Sequence, residues 1–109
     1  KGSEVSLEIH IDKVPVMNEA LELYKRGVTT GVNKFNRELV ENHIKFEKPL
    51  PQRHEEIFMD PQTSGGLLAA LPENQAGSLI SELHNAGVKD AGIIGKVVSL
   101  QNGCYLIFC

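Results

Sequence analysis

The richest chemistry in the chain lies in seven consecutive residues, Asp60-Pro61-Gln62-Thr63-Ser64-Gly65-Gly66. One carboxylate, one carboxamide and two hydroxyls stand beside a glycine pair whose backbone amides no side chain can shield. A carboxylate in such a setting can hold Mg²⁺, position a water or cap a turn. Asp-Pro is a common turn start, so turn capping is the better reading of Asp60 from the residues alone. Thr63, Ser64, Gly65 and Gly66 together can form a concavity of hydroxyl and amide donors suited to phosphate or another anion. The pattern is not a P-loop, because the lysine of G-x-x-x-x-G-K-[ST] is missing. A glycine pair also serves where two backbones approach closely, a purely structural use. A second polar loop, Thr29-Thr30-Gly31 with Asn33 and Asn36, is rich in amide and hydroxyl groups and equally open between structure and function.

The remaining candidates carry less. His10, His43, His54 and His84 are scattered, with no metal-ligand spacing. His10 and His84 fall on the expected solvent side of their elements. No Ser-His-Asp or Cys-His arrangement follows from spacing. Cys104 and Cys109 lie five apart on one strand candidate, a poor disulfide pair, and read as small apolar residues. Glu4, Glu8 and Asp12 read as a solvated face.

These groups must be held by elements whose patterns are visible. Val5 to Ile11 alternates, with Val5, Leu7, Ile9 and Ile11 facing one side and Ser6, Glu8 and His10 the other, a half-buried strand. A helix opens at Pro15, carries Ala20, Leu21, Leu23 and Tyr24 as its apolar stripe, and stops at Gly27. Thr29 to Asn36 reads as loop. Asn36 to Phe46 has a weak helical pattern, and Gln52 to Met59 suits a short helix or strand. Gly66 to Leu71 is a short apolar strand candidate. A second helix starts at Pro72 and Glu73, buries Ala76, Leu79, Ile80 and Leu83, and ends at Gly87. Ala91–Leu100 and Cys104–Phe108 are strands joined through Gln101-Asn102-Gly103, and Asn-Gly is the strongest short hairpin signal. The order predicts an α+β fold, a layered sandwich with a mostly antiparallel sheet. No internal repeat or low-complexity tract is present.

The bulk numbers set the class. At 109 residues the chain is one domain or part of a larger protein, able to hide roughly two-thirds of its unfolded surface. Its 41% hydrophobic and 23% charged residues are those of an ordinary soluble domain. A net charge of −3 argues against a nucleic-acid partner, since phosphate binding leaves a basic footprint. No apolar run approaches the roughly 20 residues of a membrane span, and the N-terminus has no signal-peptide pattern. The absence of an initiator Met suggests a fragment or processed product.

Asp60 to Leu68, "DPQTSGGLL", resembles the C-terminal-domain signature of the selenophosphate synthetases, or selenide, water dikinases. Three further segments resemble that family in the same order: "IDKVPVMNEALELYKRG" (Ile11 to Gly27), "TTGVNKFN" (Thr29 to Asn36) and "LISELHNAGVKDAGIIGKV" (Leu79 to Val97). Where the family often has Pro-Gly-Gly-Thr, this chain reads Thr-Thr-Gly-Val, and Thr30 is less free than glycine to take positive φ.

The resemblance implies a fold like the C-terminal domain of aminoimidazole ribonucleotide synthetase. It implies a single C-terminal domain over 1–109, whose partner is its own N-terminal ATP-binding catalytic domain. It also implies a kinase that makes selenophosphate, AMP and phosphate from ATP, selenide and water, with Mg²⁺, as a cytoplasmic homodimer. Neither Cys104 nor Cys109 matches the family's reactive cysteine or selenocysteine position. The expected catalytic and metal residues in this chain are therefore none, and neither ATP nor Mg²⁺ is expected to bind it stably alone. The residues expected near substrate or phosphate are Asp60, Gln62, Thr63, Ser64, Gly65 and Gly66, with Thr30, Gly31 and Asn36 as weaker candidates. Two alternatives stay open: a related ATP enzyme of the thiamine-phosphate-kinase or purine-biosynthetic kind, and a purely structural packing module.

Overall fold

The structure, a computed structural model, describes residues 2–109, with Gln52 and Arg53 described through their backbone. Four strands form one sheet, β1 (Val5–Ile9), β2 (Ile44–Phe46), β3 (Gly95–Ser99) and β4 (Leu106–Phe108), in the spatial order β2-β4-β1-β3. The α helices are α1 (Asn18–Lys25), α2 (Asn33–Val40), α3 (Gln52–Glu55) and α4 (Glu73–Asn85), and a 3₁₀ turn, Glu56–Met59, continues α3. The fold is α+β, as expected.

The sheet is mixed rather than mostly antiparallel. β1 pairs antiparallel with β3, but β4 lies parallel to both β1 and β2. The expected hairpin between the last two strands is therefore only a stub. Asn102 and Gly103 do take the positive φ of a tight hairpin turn, 50° and 75°, and Gln101 pairs with Cys104. Beyond that single bridge β1 enters between the two strands. Ser6 bridges the two arms where they part. The Gln101 N–H donates to its hydroxyl oxygen at 2.9 Å, and the hydroxyl donates to the Cys104 carbonyl at 2.6 Å. Ser6 is fully buried, against its expected place on the solvent side.

Phe108 and Ile107 are neighbours on β4, point to opposite faces, and are both buried. Both faces of this inner strand are therefore covered. On the Phe108 face, Phe46 stacks at a centroid distance of 4.7 Å and Phe58 of the 3₁₀ turn packs at 4.8 Å. Across β1 and β3, Lys96 Nζ donates to Glu8 Oε2 at 3.0 Å between register partners. Glu8 is thus a cross-strand partner, and Lys96 holds its carboxyl below the usual carboxylate range.

Helices α1 and α4 end as their glycines dictate. Gly27 and Gly87 take φ of 80° and 95°, and each next residue's N–H reaches back to close the last turn, Val28 to Leu23 and Val88 to Leu83. Ala76, Leu79, Ile80 and Leu83 form the half-buried face of α4, as its pattern predicts. Helix α1 starts three residues after Pro15. Helix α2 starts at Asn33, inside the segment expected to be loop, and the chain after it turns into β2 rather than continuing as helix.

Helix α2 is inverted. Asn33, Asn36 and Arg37 share one face and point inward, while Val32, Phe35 and Leu39 are exposed, Phe35 by 66% and Leu39 by 78%. This explains its weak sequence pattern, since a helix is normally recognised by an apolar inward stripe. An open apolar groove of about 210 Å³ runs beside it, lined by Leu39, Val40, Ile44, Phe58, Met59 and Phe108 among others.

The expected strand Gly66–Leu71 does not form. Pro61 to Ala70 runs exposed without regular structure, and Leu67 is fully exposed. A strand exists only through a neighbour's hydrogen bonds, and no described strand pairs with this segment.

Candidate functional site

The two polar loops meet at one buried network. Tyr24, on the inward face of α1 and 5% exposed, donates its hydroxyl proton to Asp60 Oδ1 at 2.6 Å. The Tyr24 hydroxyl oxygen in turn accepts from Asn33 Nδ2 at 3.0 Å. Asn33 is 2% exposed, and its second amide proton goes to the Glu56 carbonyl at 2.9 Å. Its Oδ1 accepts from the Thr30 hydroxyl at 2.5 Å and from the Thr30 N–H at 3.2 Å. All four hydrogen-bonding positions of one carboxamide are filled, which is what burial of such a group requires.

The rest of the inward face of α2 extends the clamp. Asn36 Nδ2 donates to the Met59 carbonyl at 2.8 Å. Arg37 pairs with Glu55 at 3.1 Å and with Glu56 at 3.0 Å. Residues 33, 36 and 37 have helical i, i+3, i+4 spacing, so one helix face grips the 3₁₀ turn along its length. Asp60 is the residue that ends this turn and the last anchored residue before the exposed Pro61–Ala70 run.

The site residues therefore divide. Asp60, Thr30 and Asn36 are drawn into the network. Gln62, Thr63, Ser64, Gly65 and Gly66 are exposed on the loop that departs from it, and Gly31 is exposed on the other loop. Sequence reasoning placed Tyr24 on an apolar stripe and missed its hydroxyl's role. Asn33 was visible only as one amide among several. The signal for Asn33 was the helix periodicity of α2, which sets polar residues at the positions a core normally claims, whereas nothing in the pattern of α1 marks the Tyr24 hydroxyl.

Burial, and then the hydrogen bond to the Asp60 carboxylate, push the Tyr24 hydroxyl above the usual tyrosine range. A raised folded-state pKa favours the neutral phenol. Its contribution is fully present below the unfolded value of about 10 and is lost as pH rises through the higher folded value. Thermal unfolding followed from neutral to strongly alkaline pH should fall more steeply for the wild type than for Tyr24→Phe. Parallel curves would mean another group governs alkaline unfolding.

Away from this network, Cys109 Sγ lies 3.5 Å from His10 Nδ1, a contact that spacing did not reveal, and both cysteines are free thiols. His84 Nε2 contacts the Ala91 carbonyl at 2.8 Å. Among the described residues no three His, Cys, Asp or Glu side chains converge as a metal site.

No family model matches the chain. Three curated relatives are each similar to most of it. It is 34% identical over 107 residues to selenide, water dikinase 2 of Peptoclostridium acidaminophilum, covering 98% of this chain and 30% of the relative. It is 35% identical over 98 residues to the selenide, water dikinase of Clostridioides difficile, covering 90% and 28%. To that of Myxococcus xanthus it is 36% identical over 95 residues, covering 87% and 27%. The chain thus spans about three-tenths of the length of these relatives.

Proposed function

Because the chain belongs to the selenide, water dikinase family, we propose that it is the C-terminal domain of an enzyme making selenophosphate, AMP and phosphate from ATP, selenide and water. The observation that carries this is identity of 33–36% to a series of selenide, water dikinases across most of the chain. The parent enzyme is a cytoplasmic homodimer in this reading. No helix of the described residues is long and apolar enough to cross a membrane, which accords with that setting.

The residues present do not fit Mg²⁺. The candidate carboxylate, Asp60, is engaged by Tyr24, Glu55 and Glu56 are paired with Arg37, and among the described residues no three His, Cys, Asp or Glu side chains form a group that could hold a metal ion. In this reading Mg²⁺ and ATP belong to the N-terminal domain. What this chain offers is the exposed Thr63 and Ser64 hydroxyls and the Gly65-Gly66 backbone, neutral donors suited to a phosphate or selenide-bearing intermediate at the face toward that domain. The outward apolar stripe of α2 supports a further packed partner, since a soluble domain rarely leaves such a stripe bare.

In the full-length enzyme, Thr63→Ala and Ser64→Ala should each lower AMP formation by about a hundredfold, the lower end of the loss on removing one donor to developing charge, without changing the melting temperature. The 109-residue chain alone should form no AMP from ATP and selenide. Wild-type rates in both variants would make the loop structural, and AMP from the isolated chain would place the chemistry within it.

A further inference from the structure

The exposed loop must leave the domain in a defined direction if its donors are to meet a reacting group, and the structure shows one point that sets this direction. Asp60 is the junction. Before it, the 3₁₀ turn is held by Asn33 at the Glu56 carbonyl and by Asn36 at the Met59 carbonyl. After it, ten residues run exposed. The Tyr24 hydroxyl at 2.6 Å holds the Asp60 side chain itself. Through Asn33 the same hydroxyl is tied to Thr30, so the Thr30-Gly31 loop and the Asp60–Gly66 loop share one support.

We propose that Tyr24 and Asn33 are positioning residues for the Thr63–Gly66 donors, and that Asp60 acts as a hydrogen-bond acceptor in this support rather than through its charge. The proposal rests on the assignment of those donors to the reaction. Its physical content is geometric. The Tyr24 hydroxyl has a single proton, and that proton is spent on Asp60, because its oxygen accepts from Asn33. The Asp60 contact therefore needs an acceptor oxygen, which a carboxamide supplies as well as a carboxylate. A misplacement of about 1 Å at a reacting centre costs up to about a hundredfold in rate, so loss of the anchor should be felt in turnover.

The test compares Tyr24→Phe, Asp60→Ala, Asp60→Asn, Thr63→Ala and Ser64→Ala in the full-length enzyme. Tyr24→Phe and Asp60→Ala should lower kcat by about tenfold or more, with KM for ATP held within about threefold. Asp60→Asn should recover most of the turnover lost in Asp60→Ala. A readout independent of activity is the amide resonances of Gly65 and Gly66 in the 109-residue chain. These should move in Tyr24→Phe and Asp60→Ala and return toward wild type in Asp60→Asn. They report the support directly even where a full-length variant is poorly folded.

Asp60→Asn as damaged as Asp60→Ala would show that the charge matters and overturn the acceptor role. Wild-type turnover in Tyr24→Phe beside a slowed Ser64→Ala would overturn the positioning role while leaving the loop's assignment intact. Wild-type turnover in Ser64→Ala and Thr63→Ala would remove that assignment and the positioning role with it, whatever the glycine resonances do.

Discussion

Gly95→Ala should destabilise the domain by about 3 kcal/mol or more, a loss at the upper end for overpacked sites. Gly95 opens β3 opposite Ile9 of β1. A methyl group built there would overlap the Glu8 carbonyl oxygen and lie 3.0 Å from the Glu8 carbonyl carbon and 3.2 Å from Ile9 Cα. These are backbone atoms of the neighbouring strand and cannot swing aside as a side-chain tip does. Relief requires β1 and β3 to separate locally, at the strand that also carries buried Ser6 and Ile9. Urea unfolding of the 109-residue chain measures this. Gly77→Ala is the matched control, because nothing lies within 4 Å of its added methyl and the site is in an exposed turn of α4. It should stabilise by up to about 1 kcal/mol, since alanine loses less backbone freedom in a helix. Equal effects of the two substitutions would remove the steric explanation for Gly95.

Asn33→Ala should cost about 3 kcal/mol, the sum expected when a filled buried carboxamide is deleted and its partners stay inside. The loss is not of one bond. The Glu56 carbonyl loses its donor, the Thr30 hydroxyl and N–H lose their acceptor, and Tyr24 loses the N–H donated to its oxygen. Ser78→Ala, which removes an exposed hydroxyl bonded to Gln75 within α4, should change stability by less than about 0.5 kcal/mol. Thermal unfolding of both variants gives the comparison. A small loss at Asn33, equal to that at Ser78, would mean that water enters and replaces the carboxamide, and the network would then carry little of the fold.

Much of the local structure was legible. Helix α4 and its half-buried face follow from apolar residues at helical spacing between a proline and a glycine. β1 follows from alternation, and the tight turn at Asn102-Gly103 from a dipeptide that readily accepts positive φ at both positions. Three readings failed for related reasons. The hairpin was cut short because β1 inserts between its arms, and the serine that bridges them there looked like a solvent residue. Gly66–Leu71 has a strand's composition but no paired neighbour. Helix α2 hides because its inward face is polar, which inverts the signal by which helices are recognised.

The candidate site shows the same division. The polar loop and its family resemblance were visible in consecutive residues, because a turn with glycines and hydroxyls is a local property. Tyr24 was not visible, because a tyrosine on an apolar stripe reads as core until its hydroxyl's partner is known, and that partner lies 36 residues away.

By itself, then, the sequence determined the class of fold, the helices with apolar stripes, the turns that need glycine, and the family the chain resembles. Each depends on residues close together in the chain or on a contiguous string of them. Tertiary structure alone decided the strand order, the burial of Ser6, and the joining of Thr30, Asn33, Tyr24 and Asp60 into one support. These depend on which distant groups share a hydrogen bond once water is excluded, a pairing that spacing along the chain does not encode.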